Sequence, residues 1–499
     1  MTAPLGAPFF IKSVPPVILF MARTNAYIGR MLRKTTIRAL CAVLLIGFAP
    51  TAGAQTAAVP ESAEQIRLSF APLVEQVAPS VVNIYTSRTV ETAGFRNPLF
   101  NDPFFQRFFG EGFGGTQRRQ ENSLGSGVIV SEDGLVVTNH HVIADADDIQ
   151  VILRDRRQFS AEVILSEERT DLAVLRMVDP RGDLPAATLG NSDAVQVGDL
   201  VLAIGNPFGV GQTVTSGIVS GVARTSVDIS DFQSFIQTDA AINPGNSGGA
   251  LVAMDGTLIG INTAIFSGSG GSHGIGFAVP SNMVEAVLRS AISGEPLLSP
   301  WLGFSGRAVD WDIASALDMP RPEGIIVEQI WDGGPADDAG LESGDIVHTM
   351  DGIPVFDQQN LRFRAVTRGI GETARLGVIR GGQAFETDLA LVPPPEDPPR
   401  DPVAIRDKLP IAGVVFVNLS PAVTSELNLP EGLRGVMAME VVRNSPAARF
   451  GVRPGDILRS VNGREIVRTD DLRALMDSPP SVWTIVLERN GTRYTVEVR

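Results

Sequence analysis

Residues 237–252 read QTDAAINPGNSGGALV. Ser247 stands there among glycines at 245, 248 and 249. Glycine permits positive φ and close backbone approach, and most glycine-rich turns do no chemistry. A serine becomes a nucleophile only with a base in hydrogen-bond reach and a carboxylate to orient that base. The base should be histidine, and the chain has four: His140, His141, His273 and His348. His348 lies in a repeated segment whose second copy carries Arg459, which argues against it. His273 lies in the glycine-rich stretch SGSGGSHGIG. His140 and His141 end the strand-like run GLVVTN. The chain order His, Asp, Ser, one of the known triad orders, fits His141, Asp171 and Ser247. Asp171 opens the apolar run DLAVLRM, where it could be held beneath an imidazole. Asp145, Asp147 and Asp148 are nearer in sequence, in a polar turn. Patterning alone leaves both options open.

Gly245 and Gly249 also place Ser247 in a Gly-x-Ser-x-Gly elbow. That elbow joins a strand to a helix, with the acid and histidine following the serine. Here strand-like GALVAMDGTLIGINTA follows, and the attractive histidine precedes. The same spacing recurs around Ser272. The elbow reading is therefore rejected.

The residues that could do chemistry sit between short apolar runs broken by Gly, Asp, Asn and Pro. SVVNIYTS (80–87), DIQVILR (148–154), DLVLAIGNPFG (199–209) and GTLIGINTAIF (256–266) are examples. Many short strands at regular spacing predict a sandwich or barrel. Helical periodicity is confined to 62–79 and 281–293. The whole chain has 499 residues, too many for one core, so about three domains are expected. Its net charge of −15 gives no electrostatic reason to bind nucleic acid.

Arg30, Arg33, Lys34 and Arg38 precede the apolar run 39–49 and Ala52-Gly53-Ala54. A basic flank, a short apolar core and a small-x-small end predict an export signal within 1–54. Cys41, the one cysteine, lies inside it. No disulfide, thiol nucleophile or cysteine metal site is then expected beyond it. With four scattered histidines, no metal or other cofactor is expected.

Residues 94–122 interrupt the strand pattern, and seven of the 24 Phe residues fall between 95 and 113. Dense exposed aromatics mark contact surfaces, so this segment reads as an interaction loop. Near the end the chain repeats. PADDAGLESGDIVHTMDG (335–352) and PAARFGVRPGDILRSVNG (446–463) agree at seven of eighteen positions. Each copy is followed by a helical stretch and then by two apolar runs around RGGQ or RNGT. Asn490-Gly491 predicts a hairpin. The proline-rich stretch VPPPEDPPRDP (392–402) between the copies predicts a stiff spacer.

TNHHVI (138–143), TDLAVL (170–175), GNPFG (205–209), QTDAAINPGNSGGAL (237–251) and GIGFAVPSN (274–282) together resemble the HtrA/DegP family of serine proteases. The layout resembles it too. The resemblance implies a mainly β chain: a chymotrypsin-like double β-barrel over 62–293, then two small α+β PDZ domains. These would span 300–392 and 408–499, with a linker at 393–407. It implies His141 as base, since the family pattern there is Thr-Asn-Asn-His-Val and His140 stands at the second Asn. It implies an ATP-independent periplasmic endopeptidase acting on misfolded proteins, homo-oligomers built from trimers, and loop-controlled switching. The absence of a G-x-x-x-x-G-K-[ST] loop agrees with ATP independence. A chaperone that binds unfolded chains without cutting them is the rival reading.

On this reading Gly245, Asn246 and Ser247 shape the oxyanion hole. Ala241 stands six residues before Ser247, where trypsin-like pockets place their specificity residue. With Ile265 and Phe266 it predicts a small apolar pocket. PDZ domains receive a chain terminus as an added strand. Leu302, Gly303 and Phe304 supply an apolar-Gly-apolar loop in the first module. Gly413-Val414-Val415-Phe416 in the second reads as a departure from that pattern.

Overall fold

The computed structural model describes residues 69–92, 117–144, 146–206, 211–224, 234–243, 245–265, 274–406, 409, 411–430, 432–477 and 482–498. The predicted export signal, Phe-rich residues 94–116, Pro207–Gly209, Phe266 and His273 lie outside them.

A helix α1 (Ala71–Val77) leads into a first barrel. Its members are β1 (Val81–Thr92), β2 (Gln117–Ile129), β3 (Leu135–Thr138), β4 (Asp148–Ile152), β5 (Gln158–Glu167) and β6 (Leu172–Met177), with a short helix α2 (His140–Ile143) after β3. They close in the order β1-β2-β3-β6-β5-β4. A second barrel follows: β7 (Leu200–Gly205), β8 (Thr213–Arg224), β9 (Phe235–Thr238), β10 (Ala250–Ala253), β11 (Leu258–Ile265) and β12 (Gly276–Pro280). It closes in the order β10-β11-β12-β9-β8-β7.

The apolar runs are continuous because both faces of these strands are buried. Val82, Ile84, Val136 and Leu175 fill the first barrel. Val201, Ala203 and Leu251 fill the second. Their neighbours in the chain, Val81, Val137, Val174, Leu202 and Ala250, meet in a core shared by the two barrels. Each fully buried aliphatic side chain contributes about 1.5–3 kcal/mol. The clefts where chemistry can occur are thus fixed by strands that cannot slip without exposing one core or the other.

Two sequence expectations change. The helix predicted over 62–79 runs from Ala71 to Val77, as far as described residues go. Residues 117–122, expected to be irregular, belong to β2, which pairs with β1 out to Thr92↔Gln117. Polar QRRQEN has little strand preference of its own, and pairing with β1 imposes the strand.

Helix α3 (Ser281–Ser293) buries Met283, Val284, Val287 and Ala291 and stops at Gly294, whose φ of 74° suits a glycine cap. The first repeated module contains β13 (Phe304–Ala308), α4 (Trp311–Ala316), β14 (Ile325–Ile330), α5 (Pro335–Asp338), β15 (Ile346–Met350), β16 (Ile353–Pro354), α6 (Gln358–Arg368), β17 (Thr373–Arg380) and β18 (Gln383–Ala390). Its strand order is β13-β14-β15-β17-β18. The second contains β19 (Val403–Ile405), β20 (Val414–Asn418), α7 (Pro421–Glu426), β21 (Val436–Val441), α8 (Pro446–Arg449), β22 (Ile457–Val461), β23 (Arg464–Glu465), α9 (Thr469–Met476), β24 (Trp483–Arg489) and β25 (Thr492–Val498). Its order is β19-β20-β21-β22-β24-β25. The chain is therefore mainly β, a double barrel followed by two modules of sheet and short helices. The turn after β24 has φ of 49° at Asn490 and 73° at Gly491, the two-residue hairpin its sequence predicts. Among the described residues, no helix is long and apolar enough to cross a membrane.

Candidate active site

The loop carrying Ser247 joins β9 to β10 and presses against the first barrel. Gly248 has φ of 81°, and a Cβ there would lie 2.0 Å from the Ser126 carbonyl oxygen and 2.4 Å from Thr138 Oγ1. A Cβ at Gly249 would lie 2.3 Å from the Ile204 carbonyl oxygen. Glycine is required at both positions by contact. Ser126 fastens the loop from β2. Its N–H donates to the Ser247 carbonyl (2.8 Å) and its hydroxyl to the Gly245 carbonyl (2.6 Å). The nucleophile candidate is thus fixed by main-chain contact between the two barrels.

Asp171 follows a single 3-10 turn (Glu168–Thr170) and takes a left-handed φ of 55° before β6 begins. Asp tolerates that conformation better than most residues. Its carbonyl is held by Asn139 Nδ2 at 2.9 Å and by the His140 N–H at 3.1 Å. Its carboxylate accepts the His141 N–H at 3.1 Å, and His141 Nδ1 lies 2.9 and 2.8 Å from its two oxygens. The Thr263 hydroxyl donates to Oδ2. Burial pushes the Asp171 carboxyl up, but the bonds and charge of His141 and the Thr263 bond outweigh it. The carboxyl sits below its ordinary value. Asp147 and Asp148 are exposed, and Asp145 lies outside the described residues.

His140 and His141 stand on the first turn of α2, where a strand end had been expected. Adjacent helical residues diverge by about 100°. His140 accordingly turns away and meets Ser166 Oγ at 2.7 Å. The His141 side chain is 48% exposed while that of Asp171 is 11% exposed. The imidazole is anchored on its acid side and open on its other.

Ser247 Oγ donates to the Thr263 carbonyl at 3.2 Å. It makes no hydrogen bond to His141 among the described residues. Thr263 therefore joins the two halves of the site, with its side chain on Asp171 and its carbonyl on Ser247. Sequence reasoning missed Thr263, because a threonine on a strand is common and INTA carries no local signal. The N–H groups of Gly245 and Ser247 donate to no described residue, whereas that of Asn246 is taken by the Asn243 carbonyl at 2.9 Å.

Ala241 lies beside this loop, where its carbonyl accepts Thr215 Oγ1 (2.9 Å) and Asn246 Nδ2 (3.4 Å). Ile265 closes β11 opposite Gly276, two residues after Thr263. Leu302 and Phe304 are buried in the core of the first module. Gly303, with φ of 76°, packs against Pro335 at the start of α5, and its carbonyl accepts the Trp331 N–H at 3.0 Å. The matching bond in the second module runs from Val442 N–H to the Gly413 carbonyl at 2.8 Å. The second loop is therefore Ala412-Gly413-Val414. It keeps the apolar-Gly-apolar pattern, two residues earlier than the sequence reading placed it.

Residues 125–261 match the trypsin-like peptidase domain, and residues 300–391 and 437–489 each match a PDZ domain. The periplasmic serine endoprotease DegP of Salmonella typhimurium is 36% identical over 485 residues, covering 92% of this chain and 98% of the relative. The chain belongs to the HtrA/DegP family. The periplasmic pH-dependent serine endoprotease DegQ of Escherichia coli K12, another relative, is 35% identical over 464 residues, again with 92% and 98% covered. Among solved structures, the HtrA-type protease AlgW with decapeptide is 44% identical. It covers 66% of this chain and 100% of its own, at a TM-score of 0.48. This HtrA/DegP member is a periplasmic serine endopeptidase of chymotrypsin-like fold.

Proposed function

We propose that Ser247 is the nucleophile, His141 its base and Asp171 the acid that orients the base. The observation that carries this is the chain of contacts from the His141 ring to Asp171, from Asp171 to the Thr263 side chain, and from the Thr263 carbonyl to Ser247 Oγ. To react, Ser247 turns its hydroxyl from the Thr263 carbonyl to the imidazole. His141 takes the proton as Oγ bonds to the scissile carbonyl carbon, and Asp171 stabilises the imidazolium. His141 then returns that proton to the leaving amine. Water attacks the acyl-serine by the same route and frees the second product.

The N–H groups of Gly245 and Ser247, flanking Asn246 and donating to no described residue, are the donors for the oxyanion, each worth about 3–4 kcal/mol. Ala241, with no acidic group in its place, favours small or medium apolar residues before the cut, with Ile265 and Phe266 as the other expected walls. Substrates are unfolded or misfolded periplasmic chains, degraded without ATP by homo-oligomers built from trimers. The first PDZ module receives chain ends at Leu302, Gly303 and Phe304. The N–H groups of Leu302 and Gly303 donate to no described residue and suit a carboxylate.

Casein degradation without ATP tests the assignment. The intact protein is expected to cut and Ser247→Ala is expected to lose at least a thousandfold in rate. Equal cutting by both would remove Ser247 from its role.

A further inference from the structure

The two PDZ modules differ at one edge. In the first, β13 has a single strand neighbour, β14. The Gln358 side chain donates to the Gly306 carbonyl of that strand. In the second, the equivalent strand β20 lies between β21 and β19. β19 comes from the segment read as spacer and pairs antiparallel through Val403↔Phe416, Ala404↔Val415 and Ile405↔Val414.

We propose that Arg400–Ile405 is an intramolecular ligand seated in the peptide groove of the second PDZ module. That module then accepts a foreign chain end only after its own segment leaves. The proposal rests on the reading of these modules as receptors for chain ends.

Four features of the segment match what an added peptide strand requires. It runs antiparallel to β20 and ends at the Gly loop. There the Gly413 N–H donates to the Ile405 carbonyl at 2.7 Å, while the equivalent Gly303 N–H has no described partner. Alternate side chains point inward: Val403 and Ile405 are buried and Ala404 is exposed. The inward pair joins a cluster with Phe416 of β20 and Leu472 of α9, so strand and helix grip it from two sides. At its start, Asp401 accepts Thr469 Oγ1 (2.6 Å) and the Arg473 guanidinium, both from α9. The Asn418 N–H donates to the Arg400 carbonyl at 2.8 Å. The segment therefore fills the groove from the far end to the loop. As a tethered ligand it acts at an effective concentration on the order of millimolar. A free peptide with an intrinsic Kd of tens of micromolar would bind there roughly 10- to 100-fold more weakly.

The test uses full-length protein carrying Ser247→Ala, so that bound peptide survives. The probe is a labelled hexapeptide with the sequence of residues 400–405 and a free carboxylate, titrated by calorimetry. The parent should bind one peptide per chain. Adding Ile405→Asp should raise this to two. The gentler Asp401→Ala loosens only the tethered segment, leaves Arg473 and the apolar contacts in place for the probe, and should strengthen the second site about tenfold. One site in the parent and an unchanged second site in both variants would overturn the proposal alone. No binding to any of the three would overturn the receptor reading and the proposal with it. No site in the parent and one in the variants would support self-occupation while removing the first module as receptor.

Discussion

At the scale of single residues, Thr263 touches both the proposed acid, Asp171, and the proposed nucleophile, Ser247. Its hydroxyl is one of the donors that hold the Asp171 carboxylate, and its carbonyl parks the Ser247 hydroxyl. Thr263→Val keeps the shape and the carbonyl but removes the donor. A lost hydrogen bond to a charged group costs about 1.5–3 kcal/mol, so kcat should fall ten- to a hundredfold with little change in KM. An unchanged kcat would mean the His141 contacts alone orient the carboxylate. Asp171→Asn is harsher, because the amide favours the wrong imidazole tautomer, and kcat should fall about 10⁴-fold. The same pair reports on stability. Burial raises the Asp171 pKa and the His141 and Thr263 contacts lower it further than burial raises it. A carboxyl whose folded pKa is depressed stabilises the fold above its unfolded value, near 3.9, and loses that contribution as pH falls through the folded value. The native protein should therefore outlast Asp171→Asn in denaturant at neutral pH, and the gap should shrink as the pH falls below the unfolded value and through the lower folded one. A gap that stays constant with pH would mean that packing, not charge, sets the difference.

At the scale of elements, the repeat explains itself through one ion pair in each module, between a buried acid and a partly exposed arginine. Asp345 and Asp456 are the repeated Gly-Asp acids, and both side chains are 1% exposed. Arg380 grips Asp345 through Nε and Nη2, each at 2.7 Å, and Arg489 grips Asp456 at 2.6 and 2.8 Å. Each arginine also caps the turn at Gly340 or Gly451. Removing one partner of such a pair is costly because the other is left unmatched. Asp456→Ala should destabilise the second module by about 3 kcal/mol, seen as early melting of that module in calorimetry while the barrel transition stays in place. Loss below about 1 kcal/mol would show that water replaces the carboxylate.

The pairs were half legible in the string. Gly-Asp and the Arg of RGGQ and RNGT recur there at matching places, but nothing local says that they meet. The barrels were legible through continuous apolar runs such as DLAVL, since burial on both faces leaves that trace. Helix α3 was legible to its ends because its apolar spacing is regular and Gly294 stops it. β19 was not, because three residues after a proline-rich stretch carry no period. The second Gly loop could be read in two registers, and only the Val442 bond to Gly413 separates them. Thr263 was invisible because its role comes from the packing of one barrel on the other, which brings 263 to 171.

At the scale of the whole molecule, the protease unit and the first PDZ module share a core. Phe363 and Val366 of α6 are buried in the same apolar cluster as Met283, Val287 and Ala291 of α3. Arg364, with 11% of its side chain exposed, reaches Asp193 at 3.4 Å, and Arg289 donates to the Thr367 carbonyl at 2.6 Å. The connection after α3 is itself tied down, since Arg169 Nη2 donates to the Leu297 carbonyl at 2.8 Å. Arg169 lies two residues from Asp171, so the docked module and the acid are fastened to one turn. Val366→Asp places an unpaired carboxylate in that shared core, and the cheapest escape is to part α6 from α3. In a Ser247→Ala background, thermolysin should then cut Leu297–Leu298 at least tenfold faster, with barrel melting nearly unchanged. Hydrogen exchange should rise in α3 and α6 and stay low in β13–β18. Unchanged cleavage, or a barrel that melts together with the module, would mean that the two cannot separate without unfolding. The first module would then be a fixed wall of the protease and not a part that can move.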